Sequence, residues 1–291
     1  MIRRTFQLIR GVGPSRERDL WAEGIRSWDD FPPEGGAIAL SARLDVTARE
    51  RLVEARAALE ARDLSTLGKM VPPREHWRLY REFEREAVYF DIETEGATGA
   101  PTVVSLFHAE GFEVFIAGRD LDRLPEAMVR WPLWVTFNGS SYDVPILSAY
   151  FGSAFPTPAL HLDLCHVCRR LGWKGGLKRI EDRLGFGRPP HLRGVGGLDA
   201  VFLWRYWLAN KDLAALRLLV EYNLYDSVQL RTLAQRAYHR ALELTGLDAP
   251  GFSHVFERGD MLYDVTRFLM AMGPAGAEAE ALERARRAAE A

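Results

Sequence analysis

The sequence predicts an α/β protein, a mixed sheet flanked by helices with a small helical region ahead of it. Three observations carry this expectation. Short apolar runs at residues 87–92, 102–107 and 113–117 succeed one another with tight turns between them, the last turn at Glu110-Gly111. A helix-like segment at about 121–129 then leads to a further apolar run at 132–137, and 160–164 reads as a fifth strand. Last, residues 213–237 hold a helical period through Leu216, Leu219, Val220, Leu230 and Leu233.

A chain of 291 residues is long enough for one sizeable domain and a smaller one. At 47% hydrophobic and 27% charged, its composition is that of an ordinary soluble protein. There is no run of eighteen apolar residues, and Met1-Ile2-Arg3-Arg4-Thr5 leads into charged sequence without a signal-peptide core. The expectation is a cytoplasmic protein with no membrane partner. Cys165 and Cys168 are the only cysteines and cannot make a disulfide framework, which fits a reducing compartment.

In chain order, Gly11-Val12-Gly13-Pro14 precedes a helix at about 15–23 that ends at Gly24. Two glycines before a helix allow a tight turn and leave N–H groups free at a positive helix end, a place for phosphate. The element resembles a helix-hairpin-helix, which binds the DNA backbone without regard to sequence; a plain helix–helix turn fits it as well. Pro32-Pro33-Glu34-Gly35-Gly36 punctuates the chain, and Thr47 with Glu50 suggests a capping box opening a helix that runs to about Arg62. Val71-Pro72-Pro73 is a second break, followed by a helix at about 75–84. The expected organisation is a helical domain at 1–70, a connecting helix at 71–85, the sheet domain at 86–240 and a C-terminal extension at 241–291.

The first strand of the sheet ends in carboxylates: Phe90-Asp91-Ile92-Glu93-Thr94-Glu95. Side chains alternate along a strand, so Asp91 and Glu93 project to one face about 7 Å apart. Either the strand frays into an acidic loop, or a divalent cation with oxygen ligands relieves the repulsion. The run at 132–137 is followed by Asn138-Gly139-Ser140-Ser141-Tyr142-Asp143, which turns the chain into a helix and places Asp143 near its start. On the long helix, Tyr222 and Asp226 are four residues apart and share a face.

Together, Phe90-Asp91-Ile92-Glu93-Thr94, Phe137-Asn138-Gly139 with Tyr142-Asp143, and Tyr222-x-x-x-Asp226 resemble, in order and spacing, the three motifs of the DEDD exonuclease superfamily. The tyrosine is similar to that of the DEDDy branch, which includes the proofreading domain of B-family DNA polymerases. Gly176-Leu177-Lys178-Arg179-Ile180-Glu181 and Leu184-Gly185 resemble bacterial stand-alone ribonuclease H-like domain proteins more closely. The resemblance covers about residues 86–238. It implies a ribonuclease H-like fold and metal-dependent 3′–5′ exonuclease action on DNA or RNA. Two Mg²⁺ or Mn²⁺ ions would be held by Asp91, Glu93, Asp143 and Asp226, with Tyr222 orienting the attacking water. Thr94 and Asn138 would position the terminal nucleotide.

Residues 167–193 carry eight basic side chains against two acidic ones, although the chain as a whole has a net charge of −2. Local distribution matters more than the sum, so Lys174, Lys178 and Arg179 are candidate substrate contacts, and Gly11 and Gly13 candidate DNA-backbone contacts. Asp163 lies on a strand end beside the site; in the families that the chain resembles an aspartate here is usual but is not counted as a metal ligand, so the resemblance leaves it out. Cys165-x-x-Cys168 lacks the second pair that a closed zinc site needs, which leaves two buried thiols. Aromatics at 198–207 are expected in the core rather than stacked on bases. Residues 251–272 and the Ala-, Glu- and Arg-rich segment 277–291 carry no motif.

Overall fold

The computed structural model describes residues 1–32, 42–97, 99–186, 188–257, 262–272 and 278–290. Residues 33–36 of the Pro/Gly punctuation, and 277 and 291 at the ends of the last predicted segment, lie outside the described residues. The chain forms two compact units. One comprises Met1–Arg85 with Arg236–Ser253, the other Glu86–Gln235 with His254–Ala291.

The first unit is helical: α1 (Pro14–Ala22), α2 (Ala42–Glu60), α3 (Leu64–Met70), α4 (Trp77–Phe83) and residues 236–245 of α10 (Leu213–Thr245). Thr47 does not open α2, which already runs from Ala42. Ala48, Leu52, Ala55 and Leu59 bury one helical face of α2, and that amphipathic stripe sets the element in place of a Thr47–Glu50 cap. Tyr238 packs its ring against Trp77 and Phe252, at centroid separations of 5.8 and 5.4 Å. The glutamate of α1, Glu17, is fully buried and accepts hydrogen bonds from Thr5 Oγ1, the Phe6 N–H, Gln7 Nε2 and Arg78.

The second unit is a five-stranded mixed sheet flanked by helices. Its strands are β1 (Ala87–Thr94), β2 (Pro101–His108), β3 (Gly111–Ile116), β4 (Leu133–Thr136) and β5 (Leu160–Asp163), in the order β3-β2-β1-β4-β5. The hairpin-linked strands pair antiparallel, whereas β4 and β5, each reached through a helix, pair parallel. Alternation along β1 decides what covers each face. Val88, Phe90 and Ile92 join the apolar core with Leu124 and Met128 of α5 (Leu124–Val129) and Leu147 of α6 (Asp143–Phe151). The expected helix at 121–129 begins instead with a 3₁₀ turn, Leu121–Arg123, because Pro125 at the second position supplies no N–H to lengthen it backwards.

The other face of β1 presents Tyr89, Asp91 and Glu93, the side of the sheet that α10 covers. The small side chain of Ser105 on β2 lets the helix come close: its hydroxyl donates to the Asn223 carbonyl at 3.0 Å and meets Ser227 Oγ at 2.7 Å. Ser105 is the register partner of Asp91. One serine therefore fixes α10 beside the acidic end of β1. The helix outruns its predicted end at 237 because the same period continues through the buried Ala241 and Leu242.

Between β5 and α10 come α7 (Leu164–Arg170), α8 (Leu177–Leu184) and α9 (Gly197–Asn210). α11 (Leu262–Ala271) and α12 (Glu278–Glu290) follow α10; Arg286 of α12 pairs with Asp199 of α9, and Arg284 pairs with Asp212, just ahead of α10. Cys165 and Cys168 are both buried on α7. The aromatics of α9 divide: Trp204 is core, while Phe202 is half-buried and lines a cleft described next.

Candidate metal centre

The cleft opens at the end of β1 and has a volume of about 560 Å³. A bulge between Glu93 and Thr94 shifts the pairing of β1 with β2 there, the kind of irregularity that re-aims side chains beside a site. Asp91 and Glu93 point from the strand into the cleft, and Asp226 reaches it from α10. Carboxylate oxygens of the three lie within 4.8 Å of one another. Three hard oxygen donors so close make a donor set that fits a divalent cation such as Mg²⁺ or Mn²⁺.

Asp143 is not in that trio, but as the first residue of α6 it lines the same cleft, and its charge is among those that raise Asp91. It arrives there by a strained turn. Asn138 has φ +66°, a left-handed conformation uncommon for a residue with a side chain, and a Cβ at Gly139 would collide with the side chain of Thr136. Asp163, which caps α7, holds this turn by accepting from the N–H groups of Asn138 (2.8 Å) and Ser140 (3.1 Å) and from Ser140 Oγ (2.5 Å). It acts on the loop and is not one of the clustered oxygens.

The match to known families decides the identity of this domain. A model of the RNase H superfamily matches residues 88–238, over half of the chain. The chain belongs to the RNase H superfamily. No curated protein and no solved structure matched it.

In this RNase H superfamily domain the acidic residues are electrostatically frustrated. Burial, then the charges of Asp143, Asp226 and Glu93, raise Asp91 well above the ordinary carboxylate range. Burial and the charge of Asp226 do the same to Glu93. Burial lifts Asp143 to about 7 even though the N–H groups of Asp143 and Ile92 pull the other way. Asp226 is also raised by burial, with Arg188 and Lys178 opposing. Carboxylates that resist ionisation alone are those a bound cation would hold ionised.

Tyr222 is buried one turn before Asp226, hydrogen-bonds its carboxylate, and accepts from Lys178 Nζ at 2.7 Å. Burial and the neighbouring charges of Asp226, Glu93 and Asp91 push its phenol far above the ordinary tyrosine value. The hydroxyl is therefore kept neutral, able to orient a water but poorly able to take its proton. Thr94 Oγ1 donates to the Gly96 carbonyl (2.6 Å) and meets Tyr142 Oη (2.8 Å), which pins the loop rim of the cleft.

Lys174 and Arg179 are exposed and line cavities next to the cleft. Gly11 and Gly13 belong to the other compact unit, Gly11 at φ +92° and Gly13 as the N-cap of α1.

Two partners were not foreseen. Asn223 donates from Nδ2 to Asp91 Oδ2 at 2.9 Å; it is three residues before Asp226, so helical spacing alone would have flagged it. Arg188 donates to Glu181 (2.7 and 2.8 Å) and also pairs with Asp226. It follows Gly185, the left-handed residue that ends α8, so no helical period links it to the site.

Proposed function

We propose that this chain is a metal-dependent 3′–5′ exonuclease that hydrolyses phosphodiester bonds of DNA or RNA. The observation that carries the reading is the meeting of Asp91 and Glu93 from the strand with Tyr222 and Asp226 from the helix in one cleft that Asp143 also lines. Two divalent ions bound there would supply charge stabilisation to the phosphodiester and to the departing oxygen and would activate a water. The protein's own part is to place them and the substrate. Asp91 would hold both ions, with Glu93 and Asp226 completing one site and Asp143 serving the second, as the resemblance implies.

Tyr222 fixes the attacking water through a neutral hydroxyl, itself held by Lys178. Asn138 and Thr94 at the cleft rim position the terminal nucleotide. Gly11 and Gly13, ahead of α1, are a candidate contact for the DNA backbone, supported by a helix N-terminus that no side chain caps.

Incubation with 3′- and 5′-labelled DNA and RNA oligonucleotides and a closed circle, in Mn²⁺, tests the reading. Stepwise shortening from the 3′ end is expected. Cleavage of the circle would show an endonuclease on the same fold, and salt-sensitive binding with no metal-dependent product would show a non-catalytic nucleic-acid-binding protein.

A further inference from the structure

One face of α8 serves the metal centre through two separate connections. Lys178 and Glu181 are three residues apart on α8, and Tyr222 and Asp226 four apart on α10, so each helix turns a pair of groups to one side. Lys178 bonds Tyr222 directly. Glu181 and Asp226 are both acids and need a donor between them. Arg188 is that donor: its Nε and Nη2 donate to Glu181 Oε2 at 2.8 and 2.7 Å, and Nη2 also pairs with Asp226 Oδ1.

The guanidinium is held on its other sides as well. Its Cζ lies 5.1 Å from the centre of the Tyr225 ring and 5.8 Å from that of Tyr222, and the side chains of Arg188, Glu181 and Asp226 are each more than nine-tenths buried. Arg188 lines neither the cleft nor the adjoining cavity of about 290 Å³ that Asp91, Tyr222 and Asp226 also border. Whatever it does for chemistry in those spaces, it does through Asp226.

Stability does not account for the pair. Glu181 Oε1 and Arg188 Nη1 are buried without a partner among the described residues, and a buried ion pair is often no more stable than apolar side chains of similar volume. A rigid fork can do what an apolar pair cannot. By holding one oxygen of Asp226 it sets the direction of the other, and outer partners of this kind commonly orient carboxylates that bind metals.

We propose that Arg188, itself aligned by Glu181, is a positioning residue that fixes the Asp226 carboxylate in the orientation in which it takes a divalent ion together with Asp91 and Glu93. The inference rests on the metal-dependent reading of the cleft and deepens it. Charge alone predicts the reverse. A guanidinium beside the site repels a cation, so its removal would tighten metal binding if orientation counted for nothing.

The test is Mn²⁺ binding to the full chain at pH 8, read from the paramagnetic resonance of the free ion, in two variants. Glu181→Leu combined with Arg188→Met removes one charge of each sign and strands neither, so its thermal midpoint is expected at or above that of the wild type. Arg188→Lys keeps the charge and loses the fork. Mn²⁺ affinity should fall about 10- to 100-fold in the double variant and at least about tenfold in Arg188→Lys. A role in stability alone would leave the double variant binding as the wild type does.

A folded double variant that binds Mn²⁺ within about twofold of wild type, or more tightly, would overturn the proposal. So would Arg188→Lys of wild-type affinity, because charge without the fork would then suffice; this variant decides alone if the double variant does not fold. A wild type that takes up no Mn²⁺ would remove the metal centre and this role with it. One that binds Mn²⁺ and cleaves nothing, with the losses above in its variants, keeps the positioning role and loses only the exonuclease.

Discussion

Two buried carboxylate–arginine clusters in this molecule look alike in composition and differ in satisfaction. In the helical unit, Glu17 and Arg78 are almost wholly buried as a pair, and both carboxylate oxygens of Glu17 are taken up: one by Thr5 and the Phe6 N–H, the other by Gln7 and Arg78. In the sheet unit, four carboxylates share one cleft, Asp91 has a single side-chain donor in Asn223, and Arg188 is divided between Glu181 and Asp226. There Glu181 Oε1 and Arg188 Nη1 find no partner among the described residues, and burial lifts Glu181 to about 7 against the pull of Arg188. A buried charge that has all its partners holds a fold together. A buried cluster short of positive charge is arranged for something that arrives from outside.

The sharpest way to break that comparison is to remove a carboxylate from each cluster. Asp91→Ala or Asp226→Ala should cut metal-dependent hydrolysis of labelled oligonucleotides by about 10³-fold or more, with a thermal midpoint equal to or above that of the wild type because repulsion is relieved. Wild-type turnover from a purified, metal-supplied Asp91→Ala protein would sink the metal-centre assignment. Glu17→Ala should do the opposite. Leaving Arg78 with Glu75 alone, and the buried donors of Thr5, Phe6 and Gln7 without their acceptor, should cost about 3–5 kcal/mol of stability in denaturant unfolding, while turnover per folded molecule at low temperature stays that of the wild type. If Glu17→Ala were as stable as wild type, the satisfied cluster would not be holding the helical unit together.

The two clusters also differ in how much of them could be read in the sequence. The strands are legible because apolar runs with turn residues between them have few other readings, and period two alone puts Asp91 and Glu93 on one face. Tyr222 and Asp226 were legible for the same reason at period 3.6. What stayed hidden depends on contacts far apart in the chain. Arg188 reaches Asp226 across 38 residues, and the serine that seats α10, Ser105, bonds Asn223 and Ser227 more than 100 residues away. Asp163 looked like a spare acid because its partners are the backbone N–H groups of a turn whose left-handed Asn138 leaves no mark in composition. Thr47 misled because a capping pair is a local pattern, and the apolar face of α2 outweighed it. The Glu17–Arg78 pair spans 61 residues and was not legible at all.

Within the metal centre the comparison is sharpened by a change that removes a hydroxyl and no charge. Tyr222→Phe keeps the ring under Lys178 and Arg188 but takes away the group that Lys178 contacts and that bonds Asp226. The expected loss in kcat is about 10²-fold, with KM for a short oligonucleotide little changed. A pH–rate profile for the variant that runs parallel to the wild type would agree with a neutral, orienting phenol. An alkaline limb present in the wild type and lost in the variant would mean that the tyrosine titrates, contrary to the pressure that burial and three neighbouring carboxylates put on it.

The smallest effect is thermodynamic and separates the two clusters without any mutation. A carboxyl whose pKa in the folded state lies above its unfolded value takes up a proton on folding. Its contribution is present in full below the unfolded pKa and is lost as the pH rises through the folded one. For Asp143 that window runs from 3.8 to about 7, and Asp91, Glu93 and Asp226 shift in the same direction. The metal-free protein should therefore lose stability between pH 5 and pH 8 through its sheet unit. Mn²⁺ binds the ionised carboxylates of the folded state, so at about 100 times its Kd it should restore about 2.7 kcal/mol at pH 8, a rise of several degrees in thermal midpoint, and much less at pH 5, where protons occupy the same oxygens. Calorimetry at the two pH values, with and without Mn²⁺, measures this directly. A Mn²⁺ shift of equal size at both would mean that the ion binds somewhere other than the raised carboxylates, and the frustrated cluster would then need another explanation.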